Sequence, residues 1–536
     1  MTGDGVSFYL GIDVGTGSAR AGLFDAAGRM HGTGKQDITL HREAADRAEQ
    51  SSDEIWQAVC TATRKAIAQA GIAPSAVAGI GVDATCSLVV LGEGGAPLPV
   101  SPGGDPARNI VVWMDHRAVE QAERINATAH PVLRYVGGTI SPEMETPKLL
   151  WLKEQTPEVY AAAWQFMDLT DFLTWRATED PARSTCTVTC KWTYLAHEER
   201  WDPDYFRQIG LGDLADDGFA RIGDRVVPPG TALGQGLSPR AAGELGLAVG
   251  TPVAAGLIDA HAGGLGTVGT QGAPQHDLAY VFGTSSCTMT STHEPVFVPG
   301  VWGPYFSAMV PGMWLNEGGQ SVAGAAIARL VAMHPAAGQA RERAAAEGLS
   351  LPDWLADRAA AEVVDLSAAV SLADGLHVVP EFLGNRAPHA DPAARALIAG
   401  LDMSEGLDSL VALYVAGLCG IGYGLRQIAE TQNEAGAITR RIVISGGAGQ
   451  SELVRQLLAD ATGMPVLSSR AEEPVLLGSA ILGALAAGDV PDAHEAMRRM
   501  SGTGRTYVPS ETTAPGHEQR YQAFLALQQV GRQIRN

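Results

Sequence analysis

An acidic side chain stands inside a glycine-rich turn near the amino terminus. Asp13 comes just before Gly15, Thr16 and Gly17, whose N–H groups and hydroxyl could face phosphate oxygens. A carboxylate at this point would repel a phosphate unless a cation stood between them. A hydrated Mg²⁺ ion meets this need, because it takes one or two carboxylates, keeps several waters and bridges to phosphates. Asp13 is therefore a candidate metal ligand, and Thr16 and Gly17 are candidate phosphate contacts, although a plain hairpin with an acidic edge would also explain them.

A second turn of the same kind lies far downstream. Residues 277–282 form an apolar, β-prone run, Gly283, Thr284 and Ser285 form a turn, and another β-prone run continues to residue 290. Both segments are typical of strand, turn, strand. A P-loop or a dinucleotide fingerprint needs a helix after its glycines, so neither fits. Two such turns facing across a cleft could clamp a nucleotide's phosphates, which adds Gly283 and Thr284 to the candidate contacts.

The segments around these turns alternate between helix and strand patterns. Helical patterns cover residues 52–70 and 147–154, and strand patterns cover residues 77–82 and 88–91. Such alternation predicts an α/β fold. The repeat of the two turns is too long for a solenoid and indicates duplication of a whole domain. We predict a first domain over residues 1–270, a second over residues 271–500 and a short closing tail over residues 501–536.

The charge balance argues against polyanionic partners. The 536 residues include 38 Lys and Arg against 59 Asp and Glu, a formal net charge of −21. This charge would repel phosphate backbones and anionic membrane surfaces, so we expect neither a nucleic acid nor a membrane partner. The most membrane-like stretch, residues 410–425, is shorter than a span of about 20 residues and contains four glycines. It is expected to form a buried helix.

The cysteines and the amino terminus indicate the compartment. Six cysteines are scattered along the chain, which suits a reducing cytosol, and the amino terminus lacks the basic start and apolar run of a signal peptide. We therefore expect a cytoplasmic protein. The only close pair is Cys186 and Cys190. Because no second pair completes a zinc-binding set, no structural metal is expected. A homodimer is compatible with the sequence, which does not determine the oligomeric state.

The two turns resemble the phosphate loops of the actin-like ATPase superfamily, and further segments resemble the FGGY carbohydrate kinases. The resemblance covers nearly the whole chain. The segments that carry it are residues 11–16, 113–117, 148–151, 256–263, 283–285, 381–388 and 445–451. It implies two actin-like (ribonuclease H-like) domains, each a mixed β-sheet flanked by helices, with a cleft between them. It also implies that the first domain binds a sugar and the second binds ATP, with Mg²⁺ between the carboxylates and the phosphates.

The resemblance also implies roles for individual residues. Asp259 falls at the family's catalytic-base position, where a carboxylate can take the proton of a sugar hydroxyl as the bond to phosphorus forms. An Asp between an apolar run and small residues would equally suit a helix cap. The glycine loop that begins at residue 446 matches the family's adenosine site, which implies contacts from Gly446, Gly447 and Gln450. A tight strand-to-helix turn would use the same small residues.

Three segments indicate the sugar. Residues 81–89 carry small polar side chains where glycerol kinases have an Arg-Glu pair, which argues against glycerol. With residues 259–261 and 316–321, this segment resembles the ribulokinase branch, and the D-ribulose type more than the L-ribulose type. By that resemblance Thr85, Lys191 and Glu317 contact the sugar, since Lys donates hydrogen bonds to oxygens and Glu accepts them from hydroxyls. A surface charge at Lys191, or a structural Glu317, is the alternative.

Other residues near these motifs have supporting roles. Trp113, Asp115 and Arg117 could brace the sugar pocket or form an ordinary core tryptophan with a salt bridge. His261 is interpreted as a group that orients the pocket. Cys86 and Cys287 lie beside binding loops, but no His or Asn arrangement indicates thiol catalysis, so both are interpreted as packing residues. Residues 381–388 are interpreted as mainly structural.

The sequence thus predicts an ATP-dependent pentulose kinase that phosphorylates the 5-hydroxyl of a ketopentose, D-ribulose first. L-Ribulokinase, xylulokinase and ribitol kinase activities are the alternatives within the same class. A non-catalytic actin-like protein that binds nucleotide and regulates a partner is the alternative in another class. Asp13, Asp259 and both turns argue against that regulator, because a binding module has no need of a base.

Overall fold

Strands and helices alternate along the chain in the computed structural model, which describes residues 7–44, 46–270 and 273–535. The strands are β1 (Phe8–Val14), β2 (Ser18–Asp25), β3 (Met30–Asp37), β4 (His41–Ala44), β5 (Arg47–Gln50), β6 (Val77–Ala84), β7 (Leu88–Leu91), β8 (Ile110–Val111), β9 (Gln165–Asp168), β10 (Arg183–Ser184), β11 (Val226–Val227), β12 (Leu257–Ile258), β13 (Asp277–Phe282), β14 (Ser286–Thr292), β15 (Trp302–Phe306), β16 (Trp314–Gln320), β17 (His377–Val379), β18 (Leu397–Ala399), β19 (Arg441–Ser445), β20 (Val466–Ser469) and β21 (Thr503–Tyr507).

The helices fill the connections between these strands. They are α1 (Ser52–Ala70), α2 (Val119–Ala127), α3 (Glu145–Gln155), α4 (Pro157–Ala162), α5 (Leu169–Thr178), α6 (Thr185–Trp192), α7 (Pro203–Gln208), α8 (Gly212–Asp216), α9 (Pro239–Leu245), α10 (Asp259–Leu265), α11 (Gly324–Met333), α12 (Ala337–Ala346), α13 (Leu351–Ala361), α14 (Leu407–Glu434), α15 (Glu452–Thr462), α16 (Pro474–Ala487), α17 (Ala493–Met500) and α18 (Ala514–Gln533). The predicted α/β class is confirmed.

The first sheet brings acidic residues to one edge. Its strand order is β12-β6-β1-β2-β3. β1 pairs antiparallel with β2, as the strand-turn-strand pattern predicted, and parallel with β6, which also pairs parallel with β12. In this register Asp13 lies beside Asp83, and Asp259 directly follows β12. The carboxyl ends of adjacent parallel strands meet at one edge, which is where α/β sheets bind ligands.

The second sheet repeats this arrangement. Its order is β15-β16-β14-β13-β19-β20-β21. β13 pairs antiparallel with β14 and parallel with β19, just as β1 pairs with β2 and β6. The predicted hairpin around Gly283 is therefore confirmed, and the repeat is consistent with a duplicated domain.

The predicted domain limits are at 270/271 and 500/501. Residues 271 and 272, at the first of these limits, lie outside the described residues. The segment predicted to be a closing tail supplies β21, which pairs with β20, and α18. The hydrophobic core of the second half, here called the second core, contains side chains of β13, β19 and α14. Tyr521 and Phe524 of α18 are buried in it. The last segment is therefore packed as part of the second half.

Helix α16 belongs to the second half of the sequence but packs on the first sheet through glycines. A Cβ atom on Gly81 of β6 would lie 1.8 Å from the Ser479 carbonyl oxygen, and one on Gly11 of β1 would lie 2.0 Å from that of Leu476. The Ser479 hydroxyl also donates a 2.6 Å hydrogen bond to Asp83 Oδ2. The two halves are thus joined by direct backbone contact at the strand that carries Asp83.

The apolar stretch at residues 410–425 forms part of α14, as predicted. This is the one helix among the described residues that is long and apolar enough to cross a membrane, and 72% of its most apolar window is buried inside the protein. Its side chains, including Leu410 and Ile421, belong to the second core. Helix α14 is therefore buried as a core helix.

Replacing Gly81 by alanine tests the contact between α16 and the sheet. The added methyl group would meet backbone atoms of Ser479, which cannot move as a side chain can. Overpacking of this kind costs about 1–3 kcal/mol or more. We expect Gly81→Ala to lower the midpoint of guanidinium unfolding.

Gly243→Ala is the matched control for this substitution. Gly243 lies exposed in α9, and a Cβ atom there would meet no atom within 4 Å. It should be neutral or stabilising by about 0.5–1 kcal/mol, because alanine favours helix. Equal midpoints for Gly81→Ala and the parent protein would show that α16 does not pack as described.

Candidate active site

One cavity of about 700 Å³ is lined by residues from both halves of the chain. Most of the residues predicted from the sequence to bind phosphate, metal or sugar line it. They are Asp13, Thr16, Gly17, Thr85, Lys191, Asp259 and Glu317. Residues separated by as much as 304 positions are therefore brought to one site, and Ser285 brings the second turn to the same cavity.

Asp13 and Asp83 lie side by side at the edge of the first sheet, and both are buried. The Arg20 guanidinium on β2 donates from Nε to Asp13 Oδ2 at 2.7 Å and from Nη1 to Glu473 at 2.7 Å. The cation that Asp13 requires is thus partly supplied by the protein. Sequence reasoning missed this pair, although antiparallel pairing across the β1–β2 turn places residue 20 opposite residue 13.

Asp83 was also missed, and its environment differs from that of Asp13. Burial raises the pKa of Asp83 well above the usual carboxyl range, and the nearby Asp13 raises it further. Its Oδ1 atom has no hydrogen-bond partner among the described residues. The sequence around Asp83 consists of small residues and contains no motif that identifies this carboxyl group. Only the parallel pairing of β1 and β6 brings Asp83 next to Asp13.

Asp259 is the first residue of α10, directly after β12. Its Oδ1 atom accepts a hydrogen bond from the N–H of Ala260 at 2.8 Å. Burial raises the pKa of Asp259 to about 6, and the charge of Asp13 contributes to the rise. Asp259 is therefore an acidic residue in the first turn of α10 rather than its cap, since Ile258 is at the N-cap position, and Asp259 lines the cavity. A carboxylate with a pKa near 6 is suited to take a proton near neutral pH.

The first turn is held by side chains from neighbouring segments. Gly15 N–H donates to the Ser18 carbonyl at 3.1 Å, which closes the turn. The Gln50 amide donates to the Thr16 carbonyl at 2.8 Å, and the Trp113 indole N–H donates to the Thr16 hydroxyl oxygen at 3.0 Å. The Thr16 hydroxyl keeps its own proton free to donate to an anion.

The second turn is held in the same way by the start of α11. Gly283 N–H donates to the Ser285 carbonyl at 2.9 Å. The Thr284 carbonyl accepts from the N–H groups of Ala323 and Ala325 at 2.9 and 3.1 Å. These two hydrogen bonds occupy the carbonyl of Thr284 and do not involve its N–H or its hydroxyl.

The glycine loop after β19 lies at a second cavity, of about 280 Å³. Gly446 has a positive φ of 93° and lies against the backbone of Phe282, so a side chain would not fit there. Gly447 lines this cavity together with Phe282 and Tyr414. Gln450 ends the short turn and accepts a hydrogen bond from Arg455 at 3.4 Å. Of the predicted adenosine contacts, Gly447 thus lines a cavity separate from that of Asp259, whereas Gly446 and Gln450 are not among the residues that line it.

The predicted sugar contacts are buried in the larger cavity. Lys191 is 6% exposed, which excludes the alternative of a surface charge, and its Nζ lies 5.2 Å from the centre of the Trp302 ring. Burial alone would lower the pKa of Lys191, but nearby acidic groups, including Glu317, raise it. Glu317 lies 3.2 Å from His261 Nε2. The Thr85 hydroxyl lies 3.3 Å from that of Ser87.

Trp113 and its neighbours brace the cavity. Trp113 lines it. Arg117 forms a fork to Asp115, with Nε–Oδ1 and Nη2–Oδ2 distances of 2.8 Å, and also donates to Glu49 at 2.9 Å. All three charged groups are buried. Trp113 therefore lines the cavity, and the buried salt bridge of Arg117 and Asp115 follows it closely in the sequence.

Glu143, Trp302 and Arg386 are among the residues that line the cavity but were not predicted. The guanidinium of Arg386, in the segment 381–388 interpreted as mainly structural, lies 5.7 Å from the centre of the Trp302 ring. Glu143 lies 3.4 Å from His116. Trp302 lies in β15, Glu143 before α3 and Arg386 between β17 and β18, so only the fold brings them to one cavity and no local pattern identifies them.

Cys86 and Cys287 line the same cavity as protonated thiols. Burial raises the pKa of Cys86 to about 12 and that of Cys287 to about 11. A thiol rather than a thiolate is a poor nucleophile. The arrangement agrees with the packing role expected for both.

Comparisons with known proteins agree along the whole chain. The model of the N-terminal domain of the FGGY family of carbohydrate kinases matches residues 8–266, and that of the C-terminal domain matches residues 278–487. The chain is 46% identical to a human FGGY carbohydrate kinase domain-containing protein, over 97% of this chain and 96% of that one. It is 35% identical to a D-ribulokinase of Saccharomyces cerevisiae, over 99% of this chain and 78% of the yeast protein. The crystal structure of a xylulose kinase from Rhodospirillum rubrum matches with a TM-score of 0.81 at 22% identity, over 98% of this chain and 99% of that one, and supports the fold.

Replacing Asp83 by asparagine tests whether its carboxyl is neutral. A raised native pKa means that Asp83 contributes its full stability below the usual carboxyl pKa of about 4 and loses it as pH rises. The loss is about 1.4 kcal/mol for each pH unit by which the native pKa exceeds the unfolded one. Asparagine keeps the acceptor for Ser479 and does not titrate. Without nucleotide or divalent cations, we expect Asp83→Asn to unfold at a higher temperature than the parent protein at pH 8, with a smaller difference at pH 5.

The exposed Asp374 offers the matched control. Asp374→Asn should leave the pH dependence of thermal unfolding unchanged. A lower unfolding temperature for Asp83→Asn at pH 8 would mean that Asp83 is ionised and stabilised by a cation.

Proposed function

This chain belongs to the FGGY family of carbohydrate kinases, and on that premise we propose that it is an ATP-dependent pentulose kinase acting on D-ribulose. It transfers the γ-phosphoryl group of ATP to the 5-hydroxyl and yields D-ribulose 5-phosphate and ADP. The observation that carries this proposal is the shared cavity in which Asp259 lies with the first turn, with Ser285 of the second turn and with the buried residues Lys191 and Glu317. The choice of sugar is supported by the 35% identity to a D-ribulokinase.

Asp259 is the proposed general base. Its carboxylate takes the proton of the 5-hydroxyl while the hydroxyl oxygen forms a bond to the γ-phosphorus. The bond from that phosphorus to the β,γ-bridging oxygen breaks, and ADP leaves with the electron pair. General-base catalysis of this kind contributes about 10²- to 10⁴-fold to the rate. The raised pKa of Asp259 matches the base to neutral pH, since a stronger base takes a proton more readily.

The two turns hold the phosphates and the second cavity holds the nucleoside. The Thr16 hydroxyl and the backbone N–H groups of Gly17 and Thr284 are the donors to the phosphate oxygens, while Gly283, whose N–H donates to the Ser285 carbonyl, closes the second turn. The adenosine group would occupy the cavity beside Gly447, which the backbone can line closely because it has no side chain. Gly446 and Gln450 support this loop from behind.

The carboxylates at the sheet edge fit a magnesium ion. Mg²⁺ prefers hard oxygen ligands and keeps several waters, and the Asp13 carboxylate lines the cavity together with the Thr16 turn and Asp259. Asp13 would hold the ion through water. When bound, Mg²⁺ offsets the negative charge on the transferring phosphoryl group.

The sugar is bound by groups with opposite hydrogen-bonding roles. Lys191 is a donor to the keto oxygen or to hydroxyls, and Glu317 is an acceptor from two hydroxyls. Trp302, which lies beside Lys191, offers an apolar face to the carbon chain. Thr85 and Arg386 border the remaining space. Closure of the two halves over this cavity would exclude water, which otherwise competes as the phosphoryl acceptor.

A panel of sugars tests the proposed activity. ADP release, measured by a coupled assay with Mg²⁺, should depend on added sugar, and D-ribulose should give the highest kcat/KM among D-ribulose, L-ribulose, D-xylulose and ribitol. The phosphorylated product identifies the acceptor hydroxyl. Preference for another member of the panel would reassign the sugar. ADP release without dependence on any sugar would contradict the kinase and support a nucleotide-binding regulator.

Asp259→Asn tests the base. The substitution keeps the size of the side chain but removes proton acceptance, so kcat should fall about 10²- to 10⁴-fold with unchanged circular dichroism. In the parent enzyme kcat/KM should fall tenfold per pH unit below about 6, because the carboxylate of Asp259 becomes protonated there. The residual activity of the variant should lack this acid limb. Turnover near that of the parent enzyme would exclude Asp259 as the base.

A further inference from the structure

Two thiols and an imidazole meet next to the sugar cavity. The Sγ atoms of Cys186 and Cys190 and the Nδ1 atom of His261 all lie within 4.8 Å of one another. The distance from Cys186 Sγ to His261 Nδ1 is 3.2 Å. Each of the three side chains is 0% exposed. The sequence offered only one cysteine pair, and the fold adds the third group from 71 residues beyond Cys190.

The fold positions these three groups independently of any ligand. Cys186 and Cys190 lie four residues apart on α6, so their side chains project from the same face of the helix. His261 lies in the first turn of α10. One hydrogen bond links the segments that carry the two helices: Ser184, which caps α6, donates to the carbonyl of Gly256, just before β12 and α10, at 2.7 Å. A set of ligands held in place before binding loses little entropy on taking up an ion.

The surroundings of the three groups are those of a metal site. His261 lies between Cys186 and Glu317, with its Nε2 atom 3.2 Å from the Glu317 carboxylate. Histidines that bind metals through one nitrogen nearly always donate a hydrogen bond from the other, frequently to a carboxylate. The backbone N–H of Ile258 donates to Cys186 Sγ at 3.3 Å, which stabilises negative charge on that sulfur.

We propose that Cys186, Cys190 and His261 form a binding site for a thiophilic cation of the Zn²⁺ type. Two thiolates and one imidazole are soft or borderline ligands that favour zinc over the hard ions magnesium and calcium. Two thiolate charges neutralise the two charges of the ion, so the buried site is uncharged when loaded, and the thiol protons leave to solvent as it forms. Three protein ligands leave one position of a tetrahedral site for an exogenous ligand.

The site connects to the cavity through residues already described. Glu317 lines the cavity and lies next to His261, and Lys191, which follows Cys190, lines it too. In the loaded site His261 keeps its Nε2 proton for Glu317, so the ion would hold the sugar-binding carboxylate in one orientation. That consequence rests on the proposed function, whereas the binding of the ion does not.

Cobalt titration of the full-length protein tests the site. The protein is dialysed against EDTA, freed of nucleotide, and titrated with Co²⁺ in excess Mg²⁺. We expect one Co²⁺ per chain, a thiolate-to-cobalt charge-transfer band in the near ultraviolet and strong visible bands of tetrahedral cobalt. Zn²⁺ should abolish these bands and Mg²⁺ should not. Absence of the charge-transfer band in the parent protein would overturn the proposal, whatever its kinase activity.

Substitutions locate the bound ion. Cys186→Ser and Cys190→Ser should each remove the charge-transfer band or weaken Co²⁺ binding at least tenfold. Cys419→Ser, at a buried cysteine in the second core, is the matched control and should bind Co²⁺ as the parent does. Glu317→Gln should weaken binding about 10- to 100-fold, as the loss of the histidine's carboxylate partner does elsewhere. Unchanged bands in both α6 variants, or their loss in Cys419→Ser, would overturn the assignment.

A measurement on the parent protein covers variants that fail to fold. Zn²⁺ should protect Cys186 and Cys190, but not the other cysteines, from alkylation during partial unfolding, as read by peptide mass spectrometry. Equal alkylation of all six cysteines with and without Zn²⁺ would contradict the site.

Discussion

Buried carboxyl groups at one edge of the first sheet are the constraint on which the remaining structure depends. Parallel pairing of β1, β6 and β12 forces Asp13, Asp83 and Asp259 into one small region. Like charges this close in a dry site repel strongly. The protein accommodates them in three ways: Arg20 pairs with Asp13, burial raises the pKa of Asp83 well above the usual carboxyl range, and burial raises the pKa of Asp259 to about 6. Each of these effects reduces the repulsion that three ionised carboxylates would experience in this region.

The same constraint explains why the two halves are tied together where they are. Helix α16 comes from the second half, yet Ser479 donates to Asp83, and Glu473, which precedes the helix, pairs with Arg20. Glycines on the strands and on the helix permit this contact at backbone distance. Any relative movement of the halves would therefore act directly on the carboxyl groups. The contacts that pack α16 on the first sheet therefore also determine the environment of the carboxyl groups.

Buried charges in the same cavity are held by neighbouring side chains. Glu317 lies 3.2 Å from His261, which in turn contacts Cys186, and the buried Lys191 lies over the Trp302 ring. Buried charges are costly to desolvate, and such partners hold them in fixed positions. The cavity therefore presents a defined arrangement of hydrogen-bond donors and acceptors.

The sequence by itself determined the local features of this protein. Turn chemistry and β-prone runs identified both hairpins and the α/β class, because these depend on neighbouring residues, and motif types identified Asp13 and Asp259. The tertiary structure decided what depends on distant parts of the chain. Parallel pairing put Asp83 beside Asp13, and strand register put Arg20 opposite Asp13. A loop from a remote position brought Arg386 to the cavity that Asp13 lines. The fold likewise carried His261 to a cysteine pair on another helix. The spacing of residues along the chain does not predict these contacts, because contacts between distant segments form only when the whole chain packs.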